Sequence, residues 1–463
     1  IKIRIIPIVA MFYLLSFLDR SNLGNARVAG LQNTLGITDH QYSVALTVTY
    51  IPYIAAEMPA NLLLKKIGPN IFLPTIVTLW GLITTMEGFV KSYGGLIAAR
   101  FFLGLVEGGM FPALVLYLSS FYTRHELQLR IALFFSAASL SGAFSGLLAF
   151  ALIRLDGKAG LAGWSWIFIV EGLFTILWGL LSFYIFPGAV ETHRFLTPDQ
   201  KTILKDRILR DRSKVFVEDE EFSWGEVLRS IKSPHVILNV ISLFLSGIAI
   251  HSLAYFQPTI IRGLGYSPSR TQLLSVPPFA VAFFVVLVLA YVSDHFSARG
   301  LTASFSGFIG MIGFLMFYVS KAEQTSIKYG SLFLSIAGVY STIPPLTAWQ
   351  SNNSEGHYRR ATSIALAFIA TNAGGIVSTW LFPKSQHPEY RPGTIVNLTS
   401  SLGITVISLI NLFWLRNQNR YKLKNKDQIL NKYLNDESVE NEQRMIKSWK
   451  ELGDKHPDFV YTY

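Results

Sequence analysis

The chain contains no cysteine. That excludes disulfide cross-links, thiolate metal sites and a cysteine nucleophile. Charge is scarce too: Asp, Glu, Lys and Arg make up 15% of the 463 residues, where soluble chains carry about 25%. Catalytic signatures are missing. No metal-spaced His or Glu cluster, no Gly-x-Ser-x-Gly and no phosphate loop interrupts the sequence, so neither an enzyme nor a cofactor is expected. Nothing resembles a selectivity-filter loop, which argues against a channel.

What is present is apolar. Hydrophobic residues form 51% of the chain and aromatics 14%, with 34 Phe. A bilayer core needs about 20 apolar residues per helix, and runs of that kind recur at 5–29, 43–64, 70–90, 95–121, 130–153, 164–187, 235–261, 272–293, 301–320, 328–350, 360–383 and 395–416. A soluble helical core would require amphipathic helices with charged faces. The run 131–153 is apolar all round, broken only by Ser and Gly. The expected fold class is therefore an all-α membrane protein with 12 transmembrane helices.

The spans fall into two sets of six. The expected division is an N-terminal bundle over 1–187, a cytosolic linker over 188–234, a C-terminal bundle over 235–416 and a cytosolic polar tail over 417–463. Within the linker, Thr197-Pro198-Asp199-Gln200 is a helix-start signature and predicts one solvated surface helix. The net charge of +11 does not point to nucleic acid here. Much of it lies in connectors and tail, where it suits an anionic leaflet. The Lys and Arg of the short loops do not favour inside termini, but Arg416, Arg420, Lys422, Lys424 and Lys426 cluster after the last span. The positive-inside rule then places both termini in the cytosol.

The halves repeat each other. Asn61, Lys65, Lys66 and Gly68 mark the turn after span 2, and Asp294, Arg299 and Gly300 mark the turn after span 8. Both turns are short, basic and Gly-containing. Parallel repeats about the membrane normal are a transporter architecture. The turns resemble degraded copies of the Gly-x-x-x-Asp-Arg/Lys-x-Gly-Arg/Lys signature of the major facilitator superfamily, the first departing from it with Asn61 for Gly and Lys65 for Asp. Three further motifs narrow the resemblance. They are Phe17-Leu18-Asp19-Arg20-Ser21-Asn22 in span 1, Arg100 to Pro112 with Gly104, Glu107 and Gly108 in span 4, and Trp164-Ser165-Trp166 with Phe168, Glu171 and Gly172 opening span 6. Together they are similar to the anion:cation symporter family. The ending from His456 to Tyr463 and the stretch Pro344 to Asn353 resemble its fungal, allantoate permease-like group.

The resemblance implies two six-helix pseudo-symmetric bundles, with spans 1, 4, 7 and 10 lining a central cavity. It also implies proton-coupled symport of a small organic anion, a vitamin-like or nitrogen-source carboxylate such as nicotinate, pantothenate or allantoate. A monomer in a fungal plasma membrane, with protons and the lipid bilayer as its other partners, completes the expectation. A nutrient receptor that kept the fold but lost transport is the competing reading.

Ionisable groups within a bilayer cost about 3 kcal/mol or more, so each one is a functional candidate. Asp19 and Arg20 lie deep in span 1. They either neutralise one another locally or face different partners, since adjacent helical residues point apart. Arg20 is the first candidate for a substrate carboxylate, because its guanidinium keeps its charge and offers bidentate donors. Asp19 is a candidate proton carrier. Arg100 and Glu107, seven residues apart in span 4, share nearly one face. The resemblance places them in substrate and proton machinery, although the Arg100 stem is long enough to snorkel. Glu57 and Glu171 suit structural partnerships. Asn372 in span 11 is a substrate hydrogen-bonding candidate or a helix–helix contact. His251, Tyr255 and Gln257 in span 7 and Tyr50 and Tyr53 in span 2 are specificity candidates or packing groups. Structural or gating roles are expected for Glu171, Lys65, Lys66, Gly68, Asp294 and Arg299. Ser136, Ser141, Gly142, Ser145 and Gly146 in span 5 suit close helix contact.

Overall fold

A computed structural model describes residues 2–119, 121–122, 124–188, 197–211, 224–387, 389–434, 448–449 and 451–463. The described residues are helical nearly throughout. Lipid leaves a backbone no solvent partner, so each crossing segment closes its own hydrogen bonds.

The first half contains α1 (Lys2–Val28), α2 (Leu31–Leu35), α3 (Asp39–Ile67), α4 (Pro69–Glu87), α5 (Tyr93–Glu107), α6 (Met110–Ser119), α7 (Arg124–Leu152) and α8 (Gly163–Ile185). Two shorter helices follow, α9 (Pro198–Asp211) and α10 (Trp224–Ile231). The second half contains α11 (Pro234–Gly263), α12 (Pro268–His295), α13 (Arg299–Val319), α14 (Thr325–Tyr340), α15 (Ile343–Asn352), α16 (His357–Ser378), α17 (Arg391–Lys424) and α18 (Lys426–Leu434). Among the described residues ten stretches are long and apolar enough to cross a membrane, α14 and α15 counting as one. The 29-residue α3 and the α5–α6 pair complete twelve spans in two six-helix bundles.

The ends follow local chemistry. Thr38 caps α3 in a reciprocal box: the Gln41 N–H donates to Thr38 Oγ1 at 3.2 Å, and the Thr38 N–H donates to Gln41 Oε1 at 3.0 Å. Gly68 separates α3 from α4 at φ 89°, a backbone angle other residues resist. Pro69, Pro234 and Pro268 start helices where a missing N–H costs nothing.

Three features differ from expectation. Spans 4 and 10 are each broken near their middle, at Gly108-Gly109 and at Ser341-Thr342. These are corresponding positions in the two halves. The linker contains α10 as well as α9, which starts at Pro198 with Thr197 and Gln200 bonded reciprocally. Span 12 continues eight residues past 416 to Lys424. Residues 189–196, 212–223 and 435–447, which belong to the expected linker and tail, lie outside the described residues.

An even number of crossings brings both chain ends to one face, here called the terminal face. Toward the other face the bundles are tightly sealed. α1 packs on α11, α7 on α12 and α3 on α16. A Cβ on Gly24 would lie 2.2 Å from the Tyr255 carbonyl oxygen, and one on Gly375 would lie 2.6 Å from the Tyr50 ring. Gly142 and Gly146 likewise sit against Phe279 and Ser275, so these two glycines of span 5 serve contact between bundles, whereas Ser136 and Ser141 donate to their own helix backbone. Arg27 donates to the Phe382 carbonyl at 3.3 Å, Gln272 to the Asn25 carbonyl at 3.2 Å, and Thr47 pairs with Thr379 at 2.8 Å.

Candidate functional site

Arg20 sits past the middle of α1, in a cavity between the bundles. The N-terminal wall is Tyr13, Ser16, Phe17 and Arg20 of α1 with Tyr53 of α3, Phe111 of α6 and Phe135 of α7. The opposite wall is Leu243, Ile250 and His251 of α11, Ile343 and Thr347 of α15, and Ala367, Phe368, Thr371 and Asn372 of α16. Its free volume is about 50 Å³, room for a few waters. A ligand site usually offers about 300 Å³ or more, so the bundles must part to admit a solute.

The Arg20 guanidinium has a partner in each bundle. Nη2 donates to Glu107 Oε1 at 3.1 Å. Nη1 lies 3.2 Å from His251 Nε2 across the interface. His251 Nδ1 is 2.8 Å from the Gly247 carbonyl oxygen. A carbonyl only accepts, so the proton is on Nδ1 and Nε2 offers its lone pair to Arg20. Ser16 Oγ donates to the same Glu107 oxygen at 2.5 Å. The guanidinium lies over the Phe17 and Tyr53 rings, 5.2 and 5.3 Å from their centroids. Rings cover its faces, so its N–H edge is where an acceptor can reach it. Above the site Tyr50 and Tyr255 bond each other at 2.9 Å across the bundles.

Asp19 and Arg100 are not part of this cavity. One residue from Arg20 on the helix, Asp19 points into the N-terminal bundle, accepting from Trp80 Nε1 at 2.9 Å and Thr84 Oγ1 at 3.3 Å. Arg100 pairs with Glu87 at 2.7 Å, both fully buried between α4 and α5. Glu107 and Arg100 share a face in span 4 yet have separate partners, because seven residues carry them to different depths. Asn22 bonds Glu171 and Ser145, which also receives Asn25 at 2.5 Å. Thus Glu171 belongs to this second, internal network, with Oε1 unpartnered among the described residues.

Of the remaining candidates, Tyr53, His251 and Asn372 line the cavity. Gln257 faces away, donating to the Ser275 carbonyl at 3.2 Å on α12. In the turns, Lys66 is exposed, the Lys65 side chain lies outside the described residues, and Arg299 is buried against Asn352. Asp294 is half-buried near it. Sequence reasoning missed Glu87, Ser16, Phe111 and Phe368. Glu87 is an acid inside an apolar run and carried a usable signal. Phe368 carried none.

The Major Facilitator Superfamily profile matches residues 9–379. An uncharacterized transporter of Schizosaccharomyces pombe is 34% identical over 90% of this chain and 83% of its own. The MFS-type transporter efuF of Hormonema carpetanum is 32% identical over 91% and 85%. The Major facilitator-type transporter hxnP of Emericella nidulans is 31% identical over 91% and 85%. Among solved structures, a bacterial homolog of the human lysosomal transporter Spinster superposes with a TM-score of 0.65 at 14% identity, covering 88% of this chain and 95% of that one. The D-xylose-proton symporter gives 0.65 at 13%, covering 86% and 96%. Two six-helix bundles around a closed mid-membrane cavity, matched along most of the chain by transporters, make this protein a multi-pass membrane transporter of the Major Facilitator Superfamily.

Proposed function

We propose that the protein is a proton-coupled symporter of a small organic anion, of the anion:cation symporter type and its fungal allantoate permease-like group. Arg20 binds the anionic group and Glu107 carries the coupled proton. The observation that supports this most is the Arg20–Glu107 contact inside the cavity. The pair is neutral as a unit. An incoming anion that takes the Arg20 edge leaves Glu107 as an uncompensated charge in a water-poor site, which costs several kcal/mol. A proton on Glu107 removes that charge. Anion and proton therefore enter together, and the loaded site is neutral.

Alternating access follows from the two broken spans. Discontinuous helices in repeat-related positions mark transporter binding sites, and α15 begins at Ile343, which lines the cavity. The sealed interface opposite the terminal face opens when the bundles rock, and the Arg20–His251 bond breaks as they part. Asp19, which lies off the cavity, serves the same coupling from within the N-terminal bundle. In the cell we place the termini in the cytosol and the carrier in the plasma membrane, importing the anion as a monomer.

Proteoliposomes loaded with neutral buffer and placed in acid buffer test this. Accumulation of the anion should follow the proton gradient and collapse with a protonophore. Glu107→Gln should retain exchange but lose uphill accumulation, whereas Arg20→Lys should lose binding, because a point charge does not replace the planar fork. Accumulation that survives both substitutions would place the site elsewhere.

A further inference from the structure

We propose that the anion is a planar aromatic or heteroaromatic monocarboxylate, whose ring enters between Phe111 of the N-terminal bundle and Phe368 of the C-terminal bundle. This rests on the reading that Arg20 binds a carboxylate, and it goes further by specifying what the carboxylate is attached to.

The number of negative charges follows from the lining. Arg20 is the one permanently charged group among the described lining residues, and Glu107 already holds part of it. Protonating Glu107 frees one positive charge, enough for one carboxylate. A second carboxylate would be stranded in an apolar wall, where an unpaired ion is costly.

The shape follows from the rings. Tyr13 packs on Phe17, Phe111 and Phe135 at centroid distances of 5.0, 5.5 and 5.1 Å. Phe111 and Phe135 stand 5.4 Å apart. The closest pair spans the bundles: Phe111 and Phe368 at 4.3 Å, inclined by 53°. These rings fill the cavity and leave it about 50 Å³. Space for a solute therefore arises where rings separate. The Phe111–Phe368 contact lies on the terminal-face side of Arg20, away from the hydrogen bonds that seal the other half. A flat ring inserted there keeps both aromatic faces covered as the bundles part, so the carrier exchanges one ring contact for two. A saturated or branched group cannot pass between the faces without forcing them further apart.

The edge of the slot toward the sealed half is polar. Asn372 lies one turn beyond Phe368 on the same face of α16, lines the cavity and makes no hydrogen bond among the described residues. A ring stacked on Phe368 would present its edge to this amide. A ring nitrogen or hydroxyl there would gain a hydrogen bond.

Binding to the purified full-length protein is measured by titration calorimetry at acid pH with four probes: benzoate, pyridine-3-carboxylate, cyclohexanecarboxylate and butanedioate. Benzoate and cyclohexanecarboxylate share size and charge and differ in flatness. Benzoate should bind about tenfold tighter, the scale of two aromatic contacts. Pyridine-3-carboxylate should bind at least as well as benzoate and lose its advantage in Asn372→Ala. Butanedioate should not bind. Phe368→Leu keeps an apolar side chain and should bring the two six-membered rings to within about twofold of each other. Equal binding of benzoate and cyclohexanecarboxylate, lost in Arg20→Lys, would overturn the aromatic assignment and leave the carboxylate site standing. Binding unaffected by Arg20→Lys, or no binding by any probe, would overturn both.

Discussion

Arg20 and Asp19 are neighbours in sequence with opposite environments. One meets the cavity and the opposite bundle; the other meets Trp80 and Thr84 inside its own. The internal network has a stability consequence of its own. Arg100 and Glu87 form a buried pair at 2.7 Å, and removing one partner strands an ion at a cost of about 3–5 kcal/mol. Arg100→Met and Glu87→Leu should each lower the thermal midpoint in detergent markedly. The double variant should recover much of that loss, and an additive loss would contradict direct pairing. The ionisable candidates were legible because a charge in an apolar run has few harmless explanations. Their partners were not. Glu107 lies 87 residues from Arg20 and His251 lies 231 away, and helical spacing relates only residues within one span. That is why Arg100 and Glu107 suggested a common site and turned out to face different partners.

Helices were legible as far as apolar length and end signals extend. The interruptions in spans 4 and 10 went unread because Gly108-Gly109 and Ser341-Thr342 bring no charge and leave the length of each span intact, although a Gly-Gly pair is itself a breaker signal. The tail from 451 to 463 gave no apolar signal, yet it is tied to the terminal face of the C-terminal bundle. Thr462 exchanges hydrogen bonds with Asn353 at 2.8 and 2.9 Å and accepts from Trp349 Nε1 at 2.8 Å. Arg359 holds Asp454 at 2.8 Å, and Lys422 stands 3.6 Å from the Tyr461 ring centroid. The tail thus fastens α15, α16 and α17 together. His456 packs on Trp449 at 4.0 Å. Burial holds its pKa below the ordinary value, Asp458 opposes that, and Lys422 and Lys426 add to the lowering. A histidine depressed in the docked state stabilises docking above its free value, about 6.5, and loses that contribution as pH falls. Hydrogen-exchange protection of 451–463 should therefore decrease between pH 7.5 and 5.5. In His456→Gln this decrease should vanish. Protection that rises on acidification would contradict the docked geometry.

At the scale of the molecule, two bundles close on a cavity whose charge is balanced only while Arg20 and Glu107 hold each other. The repeat, the span count and the family resemblance made this architecture readable in advance, because lipid permits few folds for twelve apolar helices. The shape of the cavity was not readable, since it depends on rings contributed by α1, α6, α7 and α16. The central claim is that anion and proton occupy one site together. Its most direct test is the affinity of the purified protein for its anion across pH 5 to 8, in the wild type and in Glu107→Gln. Wild-type affinity should tighten by up to about tenfold for each unit the pH falls while Glu107 is ionised in the empty site and protonated in the loaded one, whereas Glu107→Gln should bind with little dependence on pH. Equal pH dependence in both proteins would show that the coupled proton does not reside on Glu107.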